Sequence, residues 1–93
     1  MTEASIEKRL VEGVKKLGGM CLKFVSPSMT GVPDRLIITK DGKVIFVELK
    51  TEVGRLSKIQ KYVTGEMLKR GADVRVVKGL PAVKQLLAEI EGR

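Results

Sequence analysis

Apolar residues recur along the first part of the chain with the spacing of a helix. They fall every three or four positions, at Ile6, Leu10, Val14 and Leu17. This spacing predicts a first helix, which Thr2 can cap and Gly18-Gly19 can end.

The next part of the chain has the pattern of short strands. Residues 20–25 are predicted to form a strand, and residues 26–33, with two prolines and a glycine, to form a loop. Two β-branched runs, 34–39 and 44–50, flank the segment Lys40-Asp41-Gly42-Lys43. Because Asp-Gly is a strong hairpin signal, these runs are predicted to be antiparallel neighbours.

The last third of the chain predicts a helix, a strand and a helix. Ser57 with Gln60 three residues later resembles a capping box, and the helix that follows has an apolar face, a weak point at Gly65 and an end at Gly71. Residues 72–77 alternate as a strand, and Pro81 suits the first position of a last helix. The order α-β-β-β-α-β-α predicts an α/β fold with a mixed central sheet and flanking helices, in a single domain over residues 1–93.

The charge of the chain indicates a class of binding partner. The 18 Lys and Arg residues outnumber the 11 Asp and Glu residues, giving a formal net charge of +7 and a pI near 9.8. Such an excess favours polyanions, nucleic acid first. With no signal peptide or run long enough to cross a bilayer, we expect a cytoplasmic protein of a bacterial or phage-infected cell, without a membrane partner. The lone Cys21 is expected to pack in the core.

Missing residue types narrow the chemistry. The chain has no histidine, so Ser-His and Cys-His triads and histidine-containing zinc sites are excluded. Aromatic residues make up 3% of the chain and tryptophan is absent, so no platform for stacking several unpaired bases is expected. Catalysis would therefore depend on carboxylates and lysine, and duplex backbone is the favoured target.

Two carboxylates and a lysine are predicted to meet at one end of the hairpin. Glu48 and Lys50 leave the end of a strand with apolar residues on both faces, and Asp34 begins the adjacent strand. Asp34 and Glu48, with a nearby backbone carbonyl at Leu49, could hold Mg²⁺, with Mn²⁺ as a substitute. Lys50 would stabilise negative charge that develops on the scissile phosphate. The alternative for a lone Glu-x-Lys is a solvated strand end or a plain ion pair.

The loop length of the hairpin decides whether the two carboxylates share a face. A two-residue turn at 41–42 would pair Asp34 with Leu49 and leave Asp34 and Glu48 on opposite faces. A three-residue loop over 40–42 pairs Asp34 with Glu48 on one face. We predict the three-residue loop, with Gly42 at positive φ.

The motifs around these residues resemble a known family. They are Gly31-Val32-Pro33-Asp34, Phe46-Val47-Glu48-Leu49-Lys50-Thr51, Gly54-Arg55-Leu56-Ser57 and Gln60. Their order resembles the virus-type replication-repair nuclease (VRR-NUC) branch of the PD-(D/E)XK superfamily, whose fold is restriction-endonuclease-like, over nearly the whole chain. The resemblance implies metal-dependent phosphodiester hydrolysis, with Asp34 and Glu48 as metal ligands, Lys50 as a catalytic group and Gln60 beside the site. Helix capping with Ser57 is the competing interpretation of Gln60.

The resemblance also suggests further residues and partners. Related junction-cutting enzymes place a Glu of the first helix near the metal, and Glu7 fits that spacing better than Glu3; a solvated helix charge is the alternative. The candidate phosphate contacts are Arg55, Lys58 and Lys61. Standalone members look like junction resolvases, so we expect a homodimer acting on branched, Holliday-junction-like DNA in repair, recombination or phage DNA processing. Candidate dimer surfaces include Val11 or Leu87.

Two other functions stay open at this point. The fold could serve as a non-catalytic basic DNA-binding module. Two carboxylates facing the phosphate argue against this function, because they do not help a protein that only binds phosphate. The motif specifies the scissile phosphate and does not distinguish ribose from deoxyribose. An RNA-directed nuclease or a toxin is therefore a third hypothesis.

Overall fold

The helices and strands follow the predicted order. A computed structural model describes residues 2–92, and its elements are α1 (Glu3–Lys16), β1 (Met20–Lys23), β2 (Arg35–Ile38), β3 (Val44–Lys50), α2 (Lys58–Lys69), β4 (Val74–Lys78) and α3 (Gly79–Glu91). The strands form one sheet in the order β1-β2-β3-β4. The β1–β2 and β2–β3 pairs are antiparallel and the β3–β4 pair is parallel, so the sheet is mixed as predicted.

The main core lies between one face of the sheet and the helices α1 and α3. Ile45, Val47 and Leu49 alternate along β3 on this face and are fully buried. They pack in one cluster with apolar side chains of the two helices, including Leu10 and Val83. Cys21 is partly buried against the same cluster, as the sequence predicts.

The opposite face of the sheet is only partly covered. Helix α2 contacts β4, and the rings of Phe24 and Phe46 meet edge to face with centroids 5.5 Å apart. Val44 and Val76, on the same face, stay 46% and 39% exposed. The apolar residues on both faces of β3 favour a strand buried on both sides, and this interpretation is wrong at Val44, because α2 contacts β4 and leaves part of this face uncovered.

Several element boundaries differ from the sequence prediction. The first two strands are shorter than predicted, and β4 lies one to two residues later, over Val74–Lys78. Helix α3 begins at Gly79, whose φ of 79° turns the chain sharply out of β4. Pro81 is therefore the third helical residue and not the first. Its missing N–H costs nothing there, because the N–H groups of a first helical turn have no partner within the helix.

No helix described between residues 2 and 92 combines the length and the apolar run that crossing a membrane requires.

Candidate active site

The β2–β3 hairpin has the register that the sequence predicts. Arg35 pairs with Val47 and Ile38 with Val44, so the next pair beyond the strand is Asp34 with Glu48. At the other end, Thr39 N donates to Lys43 O at 2.8 Å across a loop of three residues. Gly42 has a φ of 87°, a conformation that side chains with a Cβ disfavour. The three-residue loop is confirmed, and it places both carboxylates on one face.

Backbone and side-chain contacts hold the two carboxylates in place. Asp34 Oδ1 accepts a hydrogen bond from Leu49 N at 3.0 Å, which ties the start of β2 to the end of β3. Glu48 is only 4% exposed, and its Oε2 lies 3.7 Å from Lys50 Nζ. We refer to Asp34 and Glu48 as the carboxylate pair. The structure therefore brings together the three residues on which the predicted chemistry depends.

Gln60 serves both of the roles that the sequence left in competition. Its Oε1 accepts from Ser57 N at 2.8 Å, and Ser57 Oγ accepts from Gln60 N at 3.2 Å, which completes a capping box at the start of α2. Its Nε2 donates to Glu48 Oε2 at 3.3 Å. The amide oxygen caps the helix, and the amide nitrogen contacts Glu48. The two roles therefore do not exclude each other.

The carboxylate pair carries negative charge that the protein itself balances only in part. Burial, followed by the charge of Asp34, raises the pKa of Glu48 to about 7, against the opposing effect of Lys50. Burial also raises the pKa of Asp34, although the hydrogen bond from Leu49 N opposes this shift. A cation bound between the two carboxylates would offset this cost.

The donor set suits a hard divalent cation. Leu49 N donates to one oxygen of Asp34 and Gln60 Nε2 to one oxygen of Glu48, and because a carboxylate has about four lone-pair sites, both acids keep capacity to bind a cation. Within residues 2–92, no group of three or more His, Cys, Asp or Glu side chains is arranged to hold a metal. Two carboxylates, a backbone carbonyl such as that of Leu49 and several waters match the coordination of Mg²⁺.

A close approach of the loop before Asp34 to helix α2 fixes the two sides of the site. Gly31 has a φ of 88°, and a Cβ there would lie 2.9 Å from both the Cγ1 and the carbonyl oxygen of Ile59. Only glycine allows this contact, which lies three residues from Asp34 and one from Gln60. The Gly31-Val32-Pro33 run was visible in the sequence, but the contact with α2 needed the structure.

The acidic residues of α1 lie close to the carboxylate pair, but one of them is engaged elsewhere. Glu7 Oε1 makes an ion pair with Arg35 Nη2 at 2.7 Å. After burial, the charge of Glu7 adds to the raised pKa of Asp34 and that of Glu3 to the raised pKa of Glu48. The structure does not join Glu7 to the carboxylate pair in a three-carboxylate cluster. Its metal-proximal role stays a prediction.

The three candidate phosphate contacts divide into two groups. Arg55 and Lys61 line one surface pocket together with Lys50, whereas Lys58, the first residue of α2, is exposed and does not line it. The same pocket contains Lys78, which the sequence reasoning missed.

Comparison with known proteins gives a consistent result. No family model matches the chain. A solved structure described as "VRR_NUC domain" superposes with a TM-score of 0.86 and 32% identity, covering 92% of this chain and 94% of that one. "Putative nuclease p44" of Acyrthosiphon pisum secondary endosymbiont phage 1 is 60% identical over 48 residues, 52% of each chain. The match thus spans about half the length of that curated relative.

Proposed function

Since the chain belongs to the VRR-NUC nuclease family, we propose that it is an endonuclease that hydrolyses DNA phosphodiester bonds with Mg²⁺, or with Mn²⁺ in its place. The observation that carries the proposal is the pairing of Asp34 with Glu48 on one face, beside Lys50. A buried carboxylate with a pKa near 7 costs stability, and a metal-dependent reaction explains why the protein retains it.

Each residue has a distinct role in the proposed reaction. Asp34 and Glu48, with the carbonyl of Leu49, would hold the ion, which supplies Lewis-acid polarisation of the phosphate and a more acidic bound water. Lys50 places a positive charge 3.7 Å from Glu48, where it can stabilise charge that develops on the phosphate in the transition state. Gln60 orients Glu48 through its Nε2.

Branched DNA in the cytoplasm of a bacterial or phage-infected cell is the proposed substrate. The net charge of +7 supports binding to a polyanion, and the low aromatic content argues against a reader of unpaired bases. Paired cuts in a branched structure need two sites, which leads to the proposal of a homodimer.

The sheet supplies a better candidate dimer surface than the helices do. Val11 and Leu87 are half-buried, and Leu87 packs against the core. On the open face of the sheet, Met20, Leu22 and Val44 are 56%, 41% and 46% exposed and are joined through the β1–β2–β3 register. A second copy of this face would cover them. Light scattering should give twice the monomer mass for the wild type. The double variant Met20→Glu with Val44→Lys should have the mass of a monomer. A wild type that is strictly monomeric would contradict the proposed dimer and leave the proposed nuclease activity standing.

A cleavage panel tests the activity. Linear, flap, bubble and four-way-junction DNA and a matched RNA duplex are incubated with the protein in Mg²⁺ or in EDTA. We expect cuts in branched DNA with Mg²⁺ and none in EDTA. Binding without cutting under every condition would support the DNA-binding module instead, and preferential cutting of RNA would contradict the proposed substrate.

A further inference from the structure

A strongly basic pocket lies beside the carboxylate pair, where β3 and β4 end. It has a volume of about 280 Å³, and its lining includes four cationic side chains and no carboxylate: Lys50, Arg55, Lys61 and Lys78, with Gly54, Leu56 and Val76. Three separate elements and the loop before α2 contribute these charges. The cluster therefore depends on the fold and is not a run of basic residues in the sequence.

The positive charges of this pocket repel one another. In the parallel register of β3 and β4, Lys78 lies directly opposite Lys50, an arrangement that is unfavourable for like charges. Glu48 offsets part of the charge of Lys50. No ion pair recorded between residues 2 and 92 includes Arg55, Lys61 or Lys78. Apart from the contact of Lys50 with Glu48, the described carboxylates do not neutralise the charge that the protein concentrates here.

Lys50 connects the pocket to the proposed reaction centre. Its Nζ lies 3.7 Å from Glu48 Oε2, and the same side chain lines the pocket. An anion in the pocket would therefore lie next to a phosphate held at the carboxylate pair. Consecutive phosphates of one strand have this relationship. Arg55 adds a planar fork of donors, which suits phosphate oxygens better than a lysine does.

We propose that this pocket binds one backbone phosphate of the DNA, adjacent to the scissile phosphate, and that Lys78 is one of its contacts. The inference rests on the proposed nuclease function and assigns a second, non-reacting phosphate to a defined site. The phosphate would relieve the repulsion between Lys50 and Lys78 and would fix the register of the strand across the carboxylate pair.

The first test compares two lysines whose replacement removes the same charge. Lys78→Ala is matched with Lys84→Ala, because Lys84 is exposed on α3, which packs on the other face of the sheet. Binding of the full-length chain to a linear duplex and a four-way junction is measured in EDTA across a range of salt concentrations. At 0.1 M salt we expect Lys78→Ala to bind the duplex roughly fivefold to tenfold more weakly, with a salt slope smaller by about 0.9. Lys84→Ala should match the wild type.

The second test locates the phosphate. A single uncharged methylphosphonate replaces each phosphate of the strand in turn, and binding is measured for wild type, Lys78→Ala and Arg55→Gln. At one position we expect the replacement to weaken the wild type and to have little further effect on either variant, as a shared contact requires. Thermal unfolding should show both variants folded, and Lys78→Ala no less stable at low salt, since it removes a repulsion.

Two results would overturn the inference. One is a Lys78→Ala variant that binds as Lys84→Ala does. The other is a pattern of methylphosphonate sensitivity that neither Lys78→Ala nor Arg55→Gln changes. In either case, cleavage by the wild type in Mg²⁺ would leave the nuclease proposal intact. A wild type that neither binds nor cuts DNA would contradict both the phosphate-binding pocket and the proposed nuclease function.

Discussion

Two charged clusters lie on opposite faces of the sheet, and they differ in burial and in how directly a cation contacts their carboxylates. In the Arg75 cluster, formed by Asp73, Arg75 and Glu89, the guanidinium donates to Asp73 at 2.6 and 3.2 Å and to Glu89 at 2.8 and 2.9 Å. These hydrogen bonds raise the pKa of Arg75. In the carboxylate pair, by contrast, burial raises the pKa of both acids.

The difference indicates a structural role for the Arg75 cluster and supports the catalytic role proposed for the carboxylate pair. In the Arg75 cluster the guanidinium is hydrogen-bonded to both acids, and this environment favours the ionised form of Arg75. At the carboxylate pair, Lys50 opposes the raised pKa of Glu48 and Arg35 that of Asp34, but burial outweighs both, and acidic residues of α1 add negative charge. Buried carboxylates whose pKa values are raised in this way support the proposal that the pair binds a divalent cation.

The largest expected effect is loss of cleavage when the carboxylate pair is neutralised. Asp34→Asn and Glu48→Gln each remove a proposed metal ligand with little change of shape. Single-turnover cleavage with Mg²⁺ should slow by on the order of a thousandfold or more. Arg75→Gln, which removes the cation of the Arg75 cluster, is the control and should cut at the wild-type rate. Equal rates for Asp34→Asn and wild type would show that the site is misassigned.

The two roles of Gln60 can be separated by a second pair of variants. Gln60→Ala removes both the helix cap and the contact with Glu48, so we expect a loss of about 1 kcal/mol of stability. Gln60→Glu keeps a capping-box residue but places a third carboxylate beside Glu48. Cleavage should fall by roughly tenfold to a hundredfold in both variants. If Gln60→Glu cuts as well as the wild type, Gln60 acts only as a cap.

The pH dependence of stability distinguishes the clusters in the absence of metal. The pKa of Glu48 is about 7 in the folded protein, above its ordinary value of 4.5. The folded state therefore favours the protonated acid, and its stabilising contribution is lost as pH rises from about 4.5 through 7. In EDTA, Glu48→Gln should gain stability relative to the wild type over this interval, as measured by urea unfolding.

Glu66 provides a control of opposite sign for this experiment. Hydrogen bonds from Lys69 and Arg70 lower the pKa of Glu66, so its contribution is present at neutral pH and is lost as pH falls. Glu66→Gln should therefore approach the wild type in stability on acidification. If the free energies of unfolding of the wild type and Glu48→Gln differ by a constant amount from pH 4 to pH 8, the raised pKa of Glu48 is contradicted.

The smallest expected effect belongs to the Arg75 cluster. Arg75 is 30% exposed at its side chain and Glu89 is 46% exposed, so solvent screens much of the attraction. Arg75→Gln should lower the free energy of unfolding by about 1 kcal/mol, and 1 M salt should reduce the difference. A loss of cleavage in this variant would show that the Arg75 cluster also contributes to catalysis and is not purely structural.

The sequence predicted the features that local rules determine. The Asp-Gly turn with a three-residue loop determined the hairpin register and so placed Asp34 and Glu48 on one face. The Ser57 and Gln60 spacing predicted the start of α2. Such signals depend on residues a few positions apart, for which turn geometry and capping leave few alternatives.

The missed features depend on residues far apart in the chain. Arg75 and Glu89 meet because α3 packs back along the sheet, and Lys78 faces Lys50 because β3 and β4 pair in one parallel register. No local rule determines that register or the crossover that precedes it. The strand ends shifted by one or two residues for the same reason, since pairing with a neighbour decides where a strand stops.

Binding of Mn²⁺, measured by electron paramagnetic resonance of the free ion, tests most directly whether the carboxylate pair is a metal site. Wild type, an Asp34→Asn and Glu48→Gln double variant and Arg75→Gln are titrated under the same conditions without DNA, and cleavage of a four-way junction is measured on the same samples. We predict that wild type and Arg75→Gln bind Mn²⁺ and cut, and that the double variant does neither. Equal Mn²⁺ binding and cleavage by the double variant and the wild type would contradict the account.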